Sequence, residues 1–164
     1  MNSVVLWIAQ GFGSGRIPFA PGTFGSLVGL LWFYLLLRTG NFWLYLFGTV
    51  LGLALSVWLC GKAERILNQT DPGSIVLDEI TAMPLCFVLW LAIPWFQRHE
   101  LPVPSWQLLT VIFILFRIFD IAKPWPIRRT QKLPGGWGVT VDDALAALYV
   151  AALTSLALFT PGGN

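Results

Sequence analysis

Three ionisable residues near the middle of the chain, Arg117, Asp120 and Lys123, are spaced three apart, which on a helix gives them one face. They close a strongly apolar run, where an unpaired charge costs on the order of a few kcal/mol. Two pairs of adjacent acids, Asp78-Glu79 and Asp142-Asp143, open apolar runs elsewhere. Either pair alone reads as helix capping, because carboxylates are favoured at helix N-termini. Five carboxylates at the ends of three apolar helices, however, repel one another unless a cation sits among them. Clustered hard oxygen ligands suit Mg²⁺ or Mn²⁺, with water and substrate phosphate completing the shell. Asp78, Glu79, Asp120, Asp142 and Asp143 are therefore the candidate catalytic and metal-holding set. Consecutive helical residues diverge by about 100°, so one acid of each pair is expected to touch the ion and the other to stand behind it or act as base. Arg117 offers a bidentate fork for phosphate oxygens and Lys123 a point charge.

Elimination narrows the chemistry. The single histidine, His99, falls in a polar loop expected on the opposite side, so it reads as solvated. Cys60 and Arg65 have a Cys-x4-Arg spacing, one residue short of a thiol-phosphatase loop, and Cys60 reads as a packing residue. No Walker-type lysine loop is present. Metal-assisted phosphoryl chemistry remains, either by water activated by the ion and a carboxylate or by direct attack of an aspartate. Gly11-Phe12-Gly13-Ser14-Gly15 reads either as an anion-binding backbone nest or as a flexible loop. Thr23 is expected to cap the following helix and to add a phosphate contact at its N-terminus. Arg128, Arg129 and Lys132 read first as interfacial anchors among lipid headgroups. Gly135-Gly136-Trp137-Gly138 is expected to let the chain approach the acidic cluster closely.

The elements that carry these residues are membrane elements. Of 164 residues, 56% are hydrophobic and only 11% charged, and the mean hydropathy is +0.72. Soluble domains carry roughly a quarter charged residues. The composition points to one integral membrane domain over residues 1–164, because no polar segment is long enough to fold a second core. A net charge of +2 gives no bulk nucleic-acid footprint, and Cys60 and Cys86 offer neither a disulfide framework nor a metal spacing. The stretch from Met1 to Ile8 lacks the basic segment of a signal peptide and reads as a short interfacial piece.

Apolar runs and turn residues predict an all-α, polytopic protein of about five spans. These are Thr23 to Leu37, Phe42 to about Cys60 with a polar extension through Glu64 and Arg65, Asp78-Glu79 to about Trp95, Trp106 to Ile121, and about Val139 to Phe159. Alternating directions gather Arg16, Lys62, Arg65, Lys123, Arg128, Arg129 and Lys132 on one side, against Arg38 and Arg98 on the other. The positive-inside rule makes the richer side cytoplasmic, with the N-terminus in and the C-terminus out. Trp43, Trp95 and Trp106 fit an aromatic belt on the far side, and Trp58, Trp125 and Trp137 one on the near side. The five candidate acids fall on the cytoplasmic side as well.

These residues stand in four ordered blocks. They are Gly11 to Gly15 with Pro21-Gly22-Thr23, then Gly73-Ser74-Ile75-Val76-Leu77-Asp78-Glu79, then Phe116-Arg117 through Asp120 to Lys123-Pro124-Trp125-Pro126-Ile127, and Gly135-Gly136 through Gly138 to Asp142-Asp143. The blocks resemble those of the bacterial phosphatidylglycerophosphatase A family over nearly the whole chain. The resemblance implies a Mg²⁺-dependent, multi-pass hydrolase of the cytoplasmic (inner) membrane, with its active site on the cytoplasmic side. Its implied reaction removes the terminal phosphate of phosphatidylglycerophosphate, a phospholipid substrate, to give phosphatidylglycerol. It also implies Asp78, Glu79, Asp120, Asp142 and Asp143 as the acidic set, with Arg117 and Lys123 on phosphate. Two other readings stand beside it: a lipid phosphotransferase, and a small cation transporter using the carboxylate cluster. The mid-span regions lack ionisable groups, which weighs against transport.

Overall fold

A computed structural model describes residues 2–158 of the chain. All regular structure among them is helical: α1 (Asn2–Ala9), α2 (Pro21–Leu37), α3 (Phe42–Leu67), α4 (Leu77–Ala82), α5 (Val88–Arg98), α6 (Trp106–Ala122), α7 (Ile127–Thr130) and α8 (Gly136–Leu158). Short 3₁₀ stretches cover Gly11–Arg16 and Met83–Phe87. The helix limits follow local chemistry. Asn41 caps α3, its side chain accepting from the N–H groups of Trp43 and Leu44 at 2.9 and 3.2 Å. Ser105 does the same for α6 through Leu108 N–H at 3.3 Å. Asn68 and Lys123 end α3 and α6 in the left-handed region.

Thr23 is not the cap of α2. The helix begins at Pro21, whose missing N–H costs nothing at a first helical position. Thr23 lies inside the first turn, its N–H bonded to the Ala20 carbonyl at 2.9 Å. From Leu77 to Arg98 the chain forms one rod, tightened to 3₁₀ around Pro84. That tightening sends the Val88 N–H to Leu85 and leaves the Pro84 carbonyl free, and the buried Tyr45 hydroxyl donates to it.

Three helical segments, Phe42–Leu67, Leu77–Arg98 and Gly136–Leu156, are long and apolar enough to cross a membrane. α2 and α6, at 17 residues each, fall short of the roughly 20 that a straight crossing needs. Three of the five expected spans are therefore of spanning length. The expected end of the fifth, Phe159, lies outside the described residues, as does Met1. Large apolar side chains face outward along several helices, among them Leu31 and Leu35 on α2, Phe47 and Leu55 on α3, Ile114 and Ile118 on α6 and Leu153 on α8. So extended an apolar exterior suits lipid rather than water. Trp43, Trp58, Trp106, Trp125 and Trp137 are exposed, whereas Trp95 is partly buried and stacked on Phe42.

The core forms where α8 meets the other helices. Ala146, Ala147 and Ala151 have no exposed surface, and small residues there admit the neighbouring helices. Phe33, Phe87, Leu91, Ile112 and Phe116 fill the remaining space, with Phe33 stacked on Phe87 at 3.9 Å between centroids. A Cβ at Gly136 would overlap the Val57 carbonyl of α3. This glycine therefore serves the crossing of α8 over α3, rather than an approach to the acidic cluster. The N-terminal glycines behave likewise: a Cβ at Gly15 would strike the Ser74 carbonyl, and one at Gly11 the side chains of Val76 and Ile80. Gly11 and Gly15 thus pack against α4 and the segment before it, Gly13 meets nothing, and none of the three lines the acidic cavity.

Candidate active site

The acidic pairs reach one place because loops and helices are pinned around it. Between α3 and α4, the Asp71 N–H bonds the Glu64 carboxylate at 2.8 Å and the Val76 N–H bonds the Ala9 carbonyl at 3.0 Å. That anchoring delivers Asp78 and Glu79 on the first turn of α4. Ile112, Phe116 and Asp120 form one inward stripe of α6 at four-residue spacing. On α8 the buried stripe of Asp143, Ala147, Val150 and Thr154 has the acid at its head. Apolar burial thus carries the carboxylates inward: Asp78, Asp142 and Asp143 are 4%, 2% and 3% exposed. Gly22 makes room at the start of α2, since a Cβ there would collide with the Glu79 carboxylate and crowd Arg117.

The result is an open cavity of about 220 Å³. Its walls include six carboxylates, on Asp71, Asp78, Glu79, Asp120, Asp142 and Asp143, and two cations, on Arg117 and Lys123. Arg117 Nη1 donates to Asp120 Oδ2 at 2.6 Å and to Ser26 Oγ at 3.3 Å, and stands 3.9 Å from Glu79 Oε1. Lys123 Nζ donates to Asp142 Oδ2 at 2.5 Å. Burial by itself would lower the Lys123 pKa, but the bond to Asp142 and the charges of Asp142, Asp120 and Asp143 outweigh it and hold the value above the ordinary lysine range. The ammonium form therefore persists at neutral pH.

Asp78 and Asp143 pair with no cation among the described residues, and Glu79 has only the longer contact to Arg117. Asp78, Glu79 and Asp143 each offer an oxygen within 4.8 Å of the others. Asp78 Oδ1, Glu79 Oε2 and Asp143 Oδ2 are buried and lack any hydrogen-bond partner among the described residues. Orphaned buried oxygens of this kind are rare in folded proteins, and a hard divalent cation satisfies several at once. The donor set fits Mg²⁺ or Mn²⁺ in chemistry and number. Arg117, which lines the cavity, has its Nε likewise buried and unpartnered.

The expected residues divide accordingly. Asp78 and Glu79 both join the three-carboxylate group, the longer Glu79 side chain bridging the angle between neighbours on the helix. Asp142 and Asp143 separate, one toward Lys123 and the other into the group. Asp120 lines the cavity on Arg117, and Thr23 does not line it. His99 ends α5 against Trp95, outside the cavity, and Cys60 is buried beside Ser56. Asp71 and Gly22 line the site although sequence reasoning did not select them. Asp71 sits in a turn-rich loop that reads as solvated, and the signal for Gly22 is its place directly after Pro21 at a helix start.

An apolar exterior, three helices of spanning length and an open cavity that gathers carboxylates and two cations at helix ends define a helical protein of membrane character with one polar site. The family model for phosphatidylglycerophosphatase A matches residues 7–158. A Haemophilus influenzae protein named phosphatidylglycerophosphatase A is 42% identical over 143 residues, covering 87% of this chain and 81% of that protein. The Escherichia coli protein of the same name is 37% identical over 148 residues, covering 89% and 78%. A Bacteroides thetaiotaomicron protein, provisionally named a phosphatidylinositol-3-phosphatase, is 36% identical over 159 residues, covering 94% of each. No solved structure matches the chain. The chain belongs to the phosphatidylglycerophosphatase A family, a family of phosphatases (phosphoric monoester hydrolases).

Proposed function

We propose that the chain, as a single membrane-embedded domain, hydrolyses the terminal phosphomonoester of phosphatidylglycerophosphate to phosphatidylglycerol and phosphate, with Mg²⁺ as cofactor. The observation that carries this reading is the group of orphaned oxygens on Asp78, Glu79 and Asp143 beside the cations Arg117 and Lys123. Family membership and the names of two relatives supply the headgroup. Asp78, Glu79 and Asp143 would hold the ion, which when bound neutralises phosphoryl charge and acidifies coordinated water. Arg117 and Lys123 bind the phosphate oxygens, while Asp120 and Asp142 fix the directions of those two cations. One water is consumed: its hydroxyl oxygen ends on phosphorus and its proton on the released glycerol oxygen.

The polar site sits at helix ends on the cytoplasmic side of a bacterial cytoplasmic membrane, in a five-pass arrangement. Supporting it are the three helices of spanning length, the apolar sides of α2 and α6, and the basic residues near the cavity. α2 is short because its N-terminus opens into the cavity wall instead of reaching the interface.

The test is phosphate release from phosphatidylglycerophosphate by detergent-purified protein, with Mg²⁺ and then with excess EDTA. Release that needs the metal is the expected result. Release undiminished by EDTA removes the ion from the mechanism, and no release by folded protein removes the phosphatase reading.

A further inference from the structure

Lys123 lines two hollows. The first is the acidic cavity; the second is an open hollow of about 440 Å³ walled by Lys123, Trp125, Arg128, Arg129 and Lys132. Four cations and no carboxylate face this second space. Arg128, Arg129 and Lys132 form no ion pair with any of the described residues, so their charge is unspent. The backbone that carries them is nonetheless fixed. Ile127 is fully buried and anchors α7, and the Tyr149 hydroxyl donates to the Trp125 carbonyl at 3.1 Å. The Arg129 guanidinium stands over the Trp125 indole, 5.7 Å from its centroid, which holds that fork against a rigid plate. General attraction to anionic lipid requires only scattered surface charge. Here the charges converge on one hollow that adjoins the acidic cavity through a shared lysine.

We propose that this basic hollow binds a second phosphate of the same substrate, the phosphodiester that joins the headgroup to diacylglycerol, while the terminal monoester occupies the acidic cavity. The proposal rests on the phosphatase reading above and adds its basis of selectivity. A phosphodiester spreads one negative charge over two free oxygens, which an arginine fork matches in a bidentate way. In phosphatidylglycerophosphate a three-carbon bridge separates the two phosphates, so adjoining hollows with Lys123 between them suit both groups at once. Phosphatidic acid has only the monoester. It reaches the acidic cavity alone and forgoes the basic hollow. Arg128, Arg129 and Lys132 are thus specificity determinants, away from the bond that breaks.

An anionic headgroup of a bystander lipid offers the same chemistry, and the experiment separates the two sources. kcat/KM is measured in uncharged detergent micelles for phosphatidylglycerophosphate and for phosphatidic acid, with and without added phosphatidylglycerol. The proteins are the unaltered chain, the double variant R128Q/R129Q, and the charge-retaining R128K/R129K. The expected result is a fall of at least about tenfold in the ratio of the two kcat/KM values in the glutamine variant, the scale of losing hydrogen bonds to a charged group, with partial recovery in the lysine variant. Equal loss on both lipids, or no loss, overturns the subsite while leaving the phosphatase reading intact. So does stimulation by phosphatidylglycerol that the glutamine variant loses with its ratio unchanged, because the hollow then serves bystander lipid. No release from either lipid by the unaltered chain overturns the phosphatase reading and the subsite with it.

Discussion

Asp142 and Asp143 are adjacent in sequence and do different work. Asp142 is tied to Lys123, whereas Asp143 leaves a buried oxygen unpartnered beside Asp78 and Glu79. Asp143→Asn is therefore expected to weaken Mg²⁺ binding measured by titration calorimetry and to cut kcat by more than about 100-fold, beyond the effect of an outer-shell partner. Asp142→Asn and Asp120→Asn free a cation instead of a metal oxygen. They are expected to lower activity by about 10- to 100-fold with Mg²⁺ affinity nearly retained, and equal loss of metal affinity in all three variants would refute the division. The candidate acids could be found in the sequence because charges at the ends of apolar helices have few innocent uses. Their pairing could not, since it depends on how far side chains on α4, α6 and α8 reach across a shared space. Asp71 was not selected for a related reason: nothing local distinguishes a loop acid facing a cavity from one facing water.

At the scale of elements, apolar runs and the turn residues around them located α3 and α6 closely, because Asn41 and Ser105 start those helices by purely local bonds. Tertiary events were hidden. The start of α2 was misjudged because Thr23 looked like a cap while Pro21 already satisfied the first turn. Glycines were harder still: Gly136 reads as loop chemistry, yet its constraint comes from the Val57 carbonyl far away in sequence. Gly136→Ala should force α8 off α3 and destabilise the protein by about 1–3 kcal/mol, the usual cost of overpacking. Gly73→Ala is the contrasting case. A Cβ there meets nothing within 4 Å and the backbone is not left-handed, so a change within about 0.5 kcal/mol is expected. Thermal unfolding in detergent compares the two, and equal midpoints would show that the α3–α8 crossing is not tight.

For the molecule as a whole, orientation decides whether the acidic and basic hollows meet substrate on the cytoplasmic leaflet. Both hollows lie at the C-terminal end of α6, while Glu100 lies before its N-terminal end. If α6 crosses the bilayer, a reporter at Glu100 and one at Gln131, both exposed positions, must stand on opposite sides. Cysteine labelling can read this directly in the otherwise unaltered chain, because Cys60 and Cys86 are buried and free. Neither reporter touches the proposed catalytic set, so phosphatase activity serves as the check that each variant is folded. A membrane-impermeant maleimide is expected to label Glu100→Cys in intact spheroplasts and Gln131→Cys only in inverted vesicles. The excess of lysine and arginine around the hollows is the ground for this expected direction, since basic loops resist translocation. Labelling of both positions from the same side would mean that α6, with its 17 residues, lies in the membrane without crossing it. The five-pass arrangement would then give way to one built on the three long segments, and the cavity's leaflet would have to be assigned afresh from Gln131 alone.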